Sequence, residues 1–297
     1  MTMNTRVSEL AQKQIDFSKV TCFPAEIQAK LGDPRTFQDP DVLHFLLSNS
    51  EVCRVLYKNP ADFEMLEMAY FGTCIRSGSW MNGVDHWLIG SLPGKALRDR
   101  LTAVSVWLAD HLRPINNGRL HILDLGAGPG PYAFATLTLT NNKGVSLWDC
   151  IDADRYGLAI GEVRARESGL QHLVKFRQTN FMSKGSYPMS DSQRADFGLL
   201  IGILCGMTEE VAVDCLQKIK PHFKPGAEIL AATLLVKSFQ EEPTVFRILC
   251  NILGWPLRPK TLEEVMAIFK SAGYEILSIF TERDNGDGEY AIVHARI

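Results

Sequence analysis

The sequence predicts an α/β protein: a mostly parallel sheet that closes with an antiparallel hairpin, behind an all-helical front end. Three observations predict it. An apolar run, Leu120, Ile122, Leu123 and Leu125, ends in Gly126, Gly128 and Gly130, and Pro131 then opens a helical segment. From there to about residue 235 strand-like and helix-like stretches alternate, the pattern of parallel crossover units. Near the end, Arg283-Asp284-Asn285-Gly286-Asp287-Gly288 separates two β-rich runs, which reads as a hairpin.

The first part of the chain carries helical periods and no strand-like alternation. Pro40-Asp41 opens a run with Val42, Leu43, Phe45, Leu46, Val52 and Leu56 at mixed three and four spacing, and Pro60 opens another with Phe63, Leu66, Met68 and Ala69. The stretch Tyr70 to Trp80 breaks the period with glycines and serines between aromatics. Ser79 can cap a helix running through His86 to Ile89, and Gly90 to Gly94 punctuates again before a long helix from Lys95 to Leu112. The division expected is a helical region over 1–114 and a sheet domain over 115–297.

The glycine stretch is a strand, a turn and a helix start. Glycine serves where the backbone must take φ > 0 or a ligand must approach without a Cβ in the way, and Pro131 suits a first helical position because its missing N–H costs nothing there. Such a loop can hold a dinucleotide pyrophosphate or an adenosyl cofactor. Spacing bears on the choice: the dinucleotide pattern wants a third small residue where Pro131 stands.

After a helix from Pro131 to Thr140, a second strand from Val145 to Ile151 is closed by Asp152-Ala153-Asp154. An acid at that strand end lies at the crevice where open α/β sheets bind ligands, and the carboxylate of Asp152 matches the vicinal hydroxyls of a ribose. Asp154 reads as the cap of a helix from Arg155 to Ser168. A third strand begins at Leu173 to Phe176, followed by Asn180 and Phe181. The run from Asp196 to Leu204 is the buried kind of parallel strand, with Ile203 and Cys205 at its tip. Thr208 opens a helix to Phe223, and FKPGAEILAAT turns into a fifth strand. An insertion over 236–260 precedes a helix from Thr261 to Ser271 and the hairpin strands Glu275 to Thr281 and Glu289 to Arg296.

Composition narrows the function. The 297 residues are 46% hydrophobic and 22% charged, with net charge −3, which is globular and offers no basic field for nucleic acid or anionic lipid. The longest apolar run, Phe197 to Met207, is short of the roughly 20 residues of a membrane span, and the amino terminus has no signal-type apolar core, so a cytoplasmic protein is expected. Seven scattered cysteines never fall as CxxC, and seven histidines form no HxxxH or HExxH pair, so neither a disulfide framework nor a metal centre is expected.

The pattern Leu123-Asp124-Leu125-Gly126-x-Gly128-x-Gly130, preceded by an apolar strand, resembles the first motif of class I methyltransferases that use S-adenosylmethionine (SAM). FKPGAEILAAT and the terminal hairpin resemble the same family, over about 115–297, and LPGKALRDR from Leu92 to Arg100 is similar to an uncharacterised bacterial branch of it. The resemblance implies a Rossmann-like, seven-stranded SAM-binding sheet with a helical amino-terminal lid. It implies that Gly126, Gly128 and Gly130 lie under the methionine part of SAM, that Asp124 helps to position its ammonium, and that Asp152 holds the ribose. Asn180 stands where the family usually has an acid facing the adenine amino group, Phe181 could stack on the base, and Ile203 faces SAM and substrate. In the lid, Tyr70 and Trp80 would meet the sulfonium and Arg76 the SAM carboxylate; no unambiguous base appears, and His86 and Asp85 are the candidates for one. The implied activity is methyl transfer to a small molecule. Two alternatives stay open: intramolecular cyclisation of SAM with release of methylthioadenosine, as in azetidine-2-carboxylate-forming enzymes, and a non-catalytic SAM-binding protein.

Overall fold

The structure, a computed structural model, describes residues 22–33, 35–36, 38–60, 63–72, 83–112, 120–183, 194–283 and 286–297. It divides into two compact units, one made of Met1–Asp99 with Val236–Leu257 and the other of Arg100–Leu235 with Arg258–Ile297. The division thus falls inside the long helix, whereas the sequence places a boundary after it.

The first unit is helical. Its helices are α1 (Ala25–Gly32), α2 (Pro40–Asn49), α3 (Glu51–Lys58), α4 (Phe63–Phe71) and α5 (Gly83–Gly90), and α6 (Leu92–Leu112) begins here. Ser50 caps α3 by accepting the N–H of Cys53 and donates its hydroxyl to Asp85 of α5, which also accepts the N–H groups of Glu51 and Val52 at 3.1 and 3.0 Å. Asp85 is therefore engaged at the start of α3, which corrects its reading as a candidate base: a carboxylate held by a hydroxyl and two N–H groups of a helix amino terminus is a structural anchor. Two other details differ from the sequence reading. Helix α6 starts at Leu92, because Gly94 lets it approach the end of α5 so closely that a Cβ would sit 2.1 Å from the Ile89 carbonyl oxygen. On α4, Glu64 and Glu67 are buried while Leu66 is only half-buried. The insertion holds α10 (Lys237–Glu241), α11 (Pro243–Phe246) and a π-helical turn over Arg247–Ile252.

The second unit holds β1 (Leu120–Leu125), α7 (Pro131–Thr140), β2 (Val145–Asp152), α8 (Arg155–Glu167), β3 (Val174–Gln178), β4 (Ala195–Ile201), α9 (Glu209–Ile219), β5 (Phe223–Leu234), α12 (Leu262–Ser271), β6 (Glu275–Thr281) and β7 (Tyr290–Arg296). The seven strands lie in the order β3-β2-β1-β4-β5-β7-β6. Strands β1 to β5 pair in parallel, and β7 is antiparallel to both β5 and β6. The predicted class, seven-stranded sheet and terminal hairpin are all present. Side-chain alternation sorts the faces: Leu123, Leu125, Ile151, Ile229 and Val293 pack with α9 and α12 in one apolar cluster, while Phe176 lies against α8, where a Cβ on Gly161 would come within 2.2 Å of its ring.

Local chemistry sets the ends. Asp154 caps α8 by accepting from Tyr156 and Gly157, and Thr261 and Glu264 form a capping box on α12. Strand β4 stops at Ile201, earlier than its apolar run, because Gly202 takes φ +78° and a short 3-10 turn, Leu204–Gly206, follows. Strand β3 begins later than predicted. The hairpin is closed by a residue the sequence reading passed over: Glu282 accepts the N–H groups of Glu289 and Tyr290 at 2.6 and 2.9 Å. Among the described residues no helix is long and apolar enough to cross a membrane.

Candidate functional site

The carboxyl ends of β1, β2, β3 and β4 bring several predicted residues together within the sheet unit. After β1 the chain turns through Gly126, Gly128 and Gly130 with φ of +73°, +51° and +73°, conformations an L side chain adopts only under strain. Close approach adds a second reason. A Cβ on Gly126 would lie 2.3 Å from the Ile203 Cδ1, and one on Gly130 would lie 3.2 Å from the Phe176 ring and 3.3 Å from the Cys150 sulfur. Ile203 therefore sits over the loop, and at Gly130 a Cβ would press on Phe176 and Cys150 of the sheet.

Asp152 ends β2 with its carboxylate in the loop: one oxygen accepts the Gly128 N–H at 2.8 Å and the other the Asp154 N–H at 2.9 Å. Burial raises its pKa above the usual carboxylate value, although those backbone hydrogen bonds pull the other way. A carboxylate has about four acceptor positions, so two hydrogen bonds fix its orientation and leave capacity for a hydroxylated ligand. The β3 end is tied to the same place, since Thr179 N–H donates to the Asp152 carbonyl at 2.9 Å.

Asp124, one strand away, is 2% exposed. Its side chain accepts from the Trp148 indole N–H at 3.3 Å. Burial, with the Trp148 hydrogen bond opposing and the charge of Asp152 adding, pushes its carboxyl up to about 7. A buried acid poised this way gains most from a nearby cation, because ionisation costs desolvation that only an opposite charge offsets.

Two residues face their surroundings more plainly. Asn180 is exposed, and its amide oxygen accepts the N–H of Met182 at 3.0 Å, the arrangement of a turn residue. Phe181 packs, half-buried, against the apolar cluster beneath β4 and β5. Cys205 is buried with its thiol donating to the Gly202 carbonyl at 3.0 Å, and burial raises its pKa, so it is a packed thiol rather than a thiolate nucleophile.

Arg100 was not among the predicted residues. It is 2% exposed, donates from Nε to the Tyr132 hydroxyl at 3.1 Å, and lies 4.5 Å from the centre of the Tyr290 ring; a Cβ on Gly202 would be 3.1 Å from its Nη1. The first turn of α7, the tip of β4 and the start of β7 thus meet at one guanidinium. The sequence does carry a signal: Ala96, Arg100, Val104 and Leu108 recur every four residues, so a charge occupies the buried stripe of α6. Lys260 plays a supporting part, with Nζ donating to the carbonyls of Leu204, Met207 and Arg258 at 2.8, 2.9 and 3.0 Å, which holds the turn after Ile203.

Of the remaining predicted residues, Tyr70 is buried on α4 and His86 is half-buried on α5, both in the helical unit. Arg76 and Trp80 lie outside the described residues.

No family model matches the chain, and no curated protein matches its sequence. Solved structures do match in fold. Among them are a protein from Bordetella parapertussis described as a possible exported protein (17% identity, 86% of this chain and 85% of that one, TM-score 0.66), the mitomycin 7-O-methyltransferase MmcR (15%, 91% and 75%, 0.51) and the pyocyanin biosynthetic protein PhzM (13%, 89% and 73%, 0.51). At these identities the likeness is one of architecture.

Proposed function

Given the class I methyltransferase fold of this chain, we propose that it binds SAM at the loop between β1 and α7 and transfers the methyl group to a small-molecule acceptor. The observation that carries the reading is the loop itself: three left-handed glycines, the middle one held by Asp152, with the buried acid Asp124 on the strand that leads into them. The residues present fit SAM on physical grounds. Gly126, Gly128 and Gly130 give a backbone surface without Cβ atoms; Asp152 keeps acceptor capacity for a ribose; Asp124 is a carboxyl that an ammonium would ionise. Arg100 is a guanidinium at the same strand ends and is our choice for the SAM carboxylate within the sheet unit.

Bound SAM supplies a methyl group activated on a sulfonium. The chain's own part is to hold and orient it and to exclude water, which an alkyl transfer needs more than acid–base help. From the sequence we carry forward Tyr70, Trp80 and His86 as candidate catalytic residues, the two aromatics for the sulfonium, and Arg76 as a second candidate for the SAM carboxylate. Aromatic faces around a sulfonium would contribute roughly 0.5 to 2 kcal/mol. Asn180, Phe181 and Ile203 are assigned to the adenosine side, Asn180 through the acceptor capacity left on its amide oxygen. A small acceptor is favoured over nucleic acid by the net charge of −3. A cytoplasmic setting goes with this reading, supported by six free cysteines among the described residues.

The test is to incubate the purified protein with SAM alone and with panels of hydroxylated and amine acceptors, and to resolve the products. Methyl transfer predicts S-adenosylhomocysteine only when an acceptor is added. Methylthioadenosine accumulating without acceptor would replace this reading with SAM cyclisation.

A further inference from the structure

We propose that His111, Glu228 and His294 form a binding site for a divalent transition metal of the zinc class, separate from the glycine-loop site. The three residues come from the last turn of α6, from β5 and from β7, and their ligand atoms all lie within 4.8 Å of one another. Glu228 Oε2 is 2.7 Å from the His294 Nε2 and 3.6 Å from the His111 Nε2. Tetrahedral coordination at about 2.0–2.2 Å sets donor atoms about 3.4 Å apart, so small side-chain rotations convert the cluster into two nitrogens and one oxygen around a common centre.

The surroundings favour that use over a chance meeting of side chains. His111 is stacked on Trp107, with centroids 4.8 Å apart and planes within 12°, and the same indole meets the His294 ring at 4.7 Å, which fixes both imidazoles. The other Glu228 oxygen accepts from Arg296 Nη2 at 3.1 Å, the outer-shell support that orients a ligating carboxylate. The side chains are 30%, 22% and 11% exposed, so the cluster is in contact with solvent. Two imidazoles and a carboxylate, without a thiolate, suit zinc, nickel, cobalt or copper rather than calcium or magnesium. The bound ion would pin the carboxyl end of α6 to β5 and β7. In the register of the sheet Glu228 is level with Phe197 and Ile122, short of the strand ends where Asp152 stands.

The full chain, stripped with a chelator and dialysed, is titrated with zinc chloride by calorimetry and with cobalt chloride by absorption, alongside His111→Ala, His294→Ala and Glu228→Gln. The proposal predicts one ion per chain, a visible cobalt spectrum, a melting temperature raised by zinc, and at least about tenfold weaker binding in each variant. His111→Ala, which leaves the Glu228–His294 hydrogen bond intact, guards against a variant that merely fails to fold. No uptake, or equal uptake by the wild type and His111→Ala, would overturn it. SAM binding measured on the stripped protein keeps this outcome distinct from the methyltransferase reading.

Discussion

The two ends of the sheet treat their carboxylates in opposite ways. At the carboxyl ends of β1 and β2, burial raises Asp124 and Asp152 above the usual carboxylate range, Asp124 to about 7, and the groups around them are indole and backbone N–H. Towards the other end, Glu228 is also partly desolvated, but hydrogen bonds from His294 and Arg296 outweigh that and hold it below its ordinary value. At the first end the two acids are held by an indole and backbone N–H groups; at the other the acid is paired with His294 and Arg296. A buried acid whose ionisation costs desolvation gains from a cationic ligand, which supports the glycine-loop end as the binding site.

That contrast can be broken by substitution, most strongly at Asp152. Asp152→Ala removes acceptors for a ribose, each charge-assisted hydrogen bond contributing roughly 1.5 kcal/mol, so calorimetry should show SAM affinity falling on the order of a hundredfold. Because Asp152 also holds the Gly128 N–H, Asp152→Asn should lose less. Unchanged affinity in both would make Asp152 a loop clamp alone.

Asp124→Asn sharpens the comparison through pH. A carboxyl whose folded pKa is raised from 3.8 to about 7 binds its proton more tightly folded than unfolded, so its contribution to stability falls as pH rises between about 4 and 7. The variant lacks that loss. Its stability advantage over the wild type should grow across that window to on the order of 4 kcal/mol at pH 8, while its affinity for SAM falls because the partner for the ammonium is gone. Thermal melts from pH 5 to 8 check the first effect; a flat difference across that range would contradict the buried-acid account.

Gly126→Ala should cost about 1 kcal/mol of stability through its left-handed φ alone, and pushing Ile203 aside should weaken SAM further. Glu228→Gln should have the smallest effect and the opposite sign to Asp124→Asn. A depressed folded pKa contributes stability above the unfolded value and loses it as pH falls, so this variant should lose under about 1 kcal/mol at pH 7 and progressively less as pH falls below about 4.5. Chemical denaturation in both pH ranges distinguishes the two acids; a stabilised Glu228→Gln would erase the contrast.

Much of the sheet unit was legible in the sequence because its signals are local. Strand β1, the glycines, the Asp154 cap and strand β6 each depend on neighbours within a few residues, and their limits agree with the expectation to within a residue. What was missed depends on contacts distant in the chain. Glu282 closes the hairpin across seven and eight residues, Arg100 meets Tyr132 and Tyr290, and His111, Glu228 and His294 converge from three segments, so no linear spacing could present them as a cluster. The helical unit was harder for another reason: Asp85, Glu64 and Glu67 are polar residues inside a core, and a period read from apolar residues alone assigns them to solvent.

The most direct test of the central claim is a calorimetric titration of the purified protein with SAM, S-adenosylhomocysteine and NAD(H) under one buffer condition. The account predicts one site per chain for SAM and for S-adenosylhomocysteine, both weakened by Asp152→Ala, and no heat with NAD(H). Tight NAD(H) binding with no response to either adenosyl ligand would contradict it.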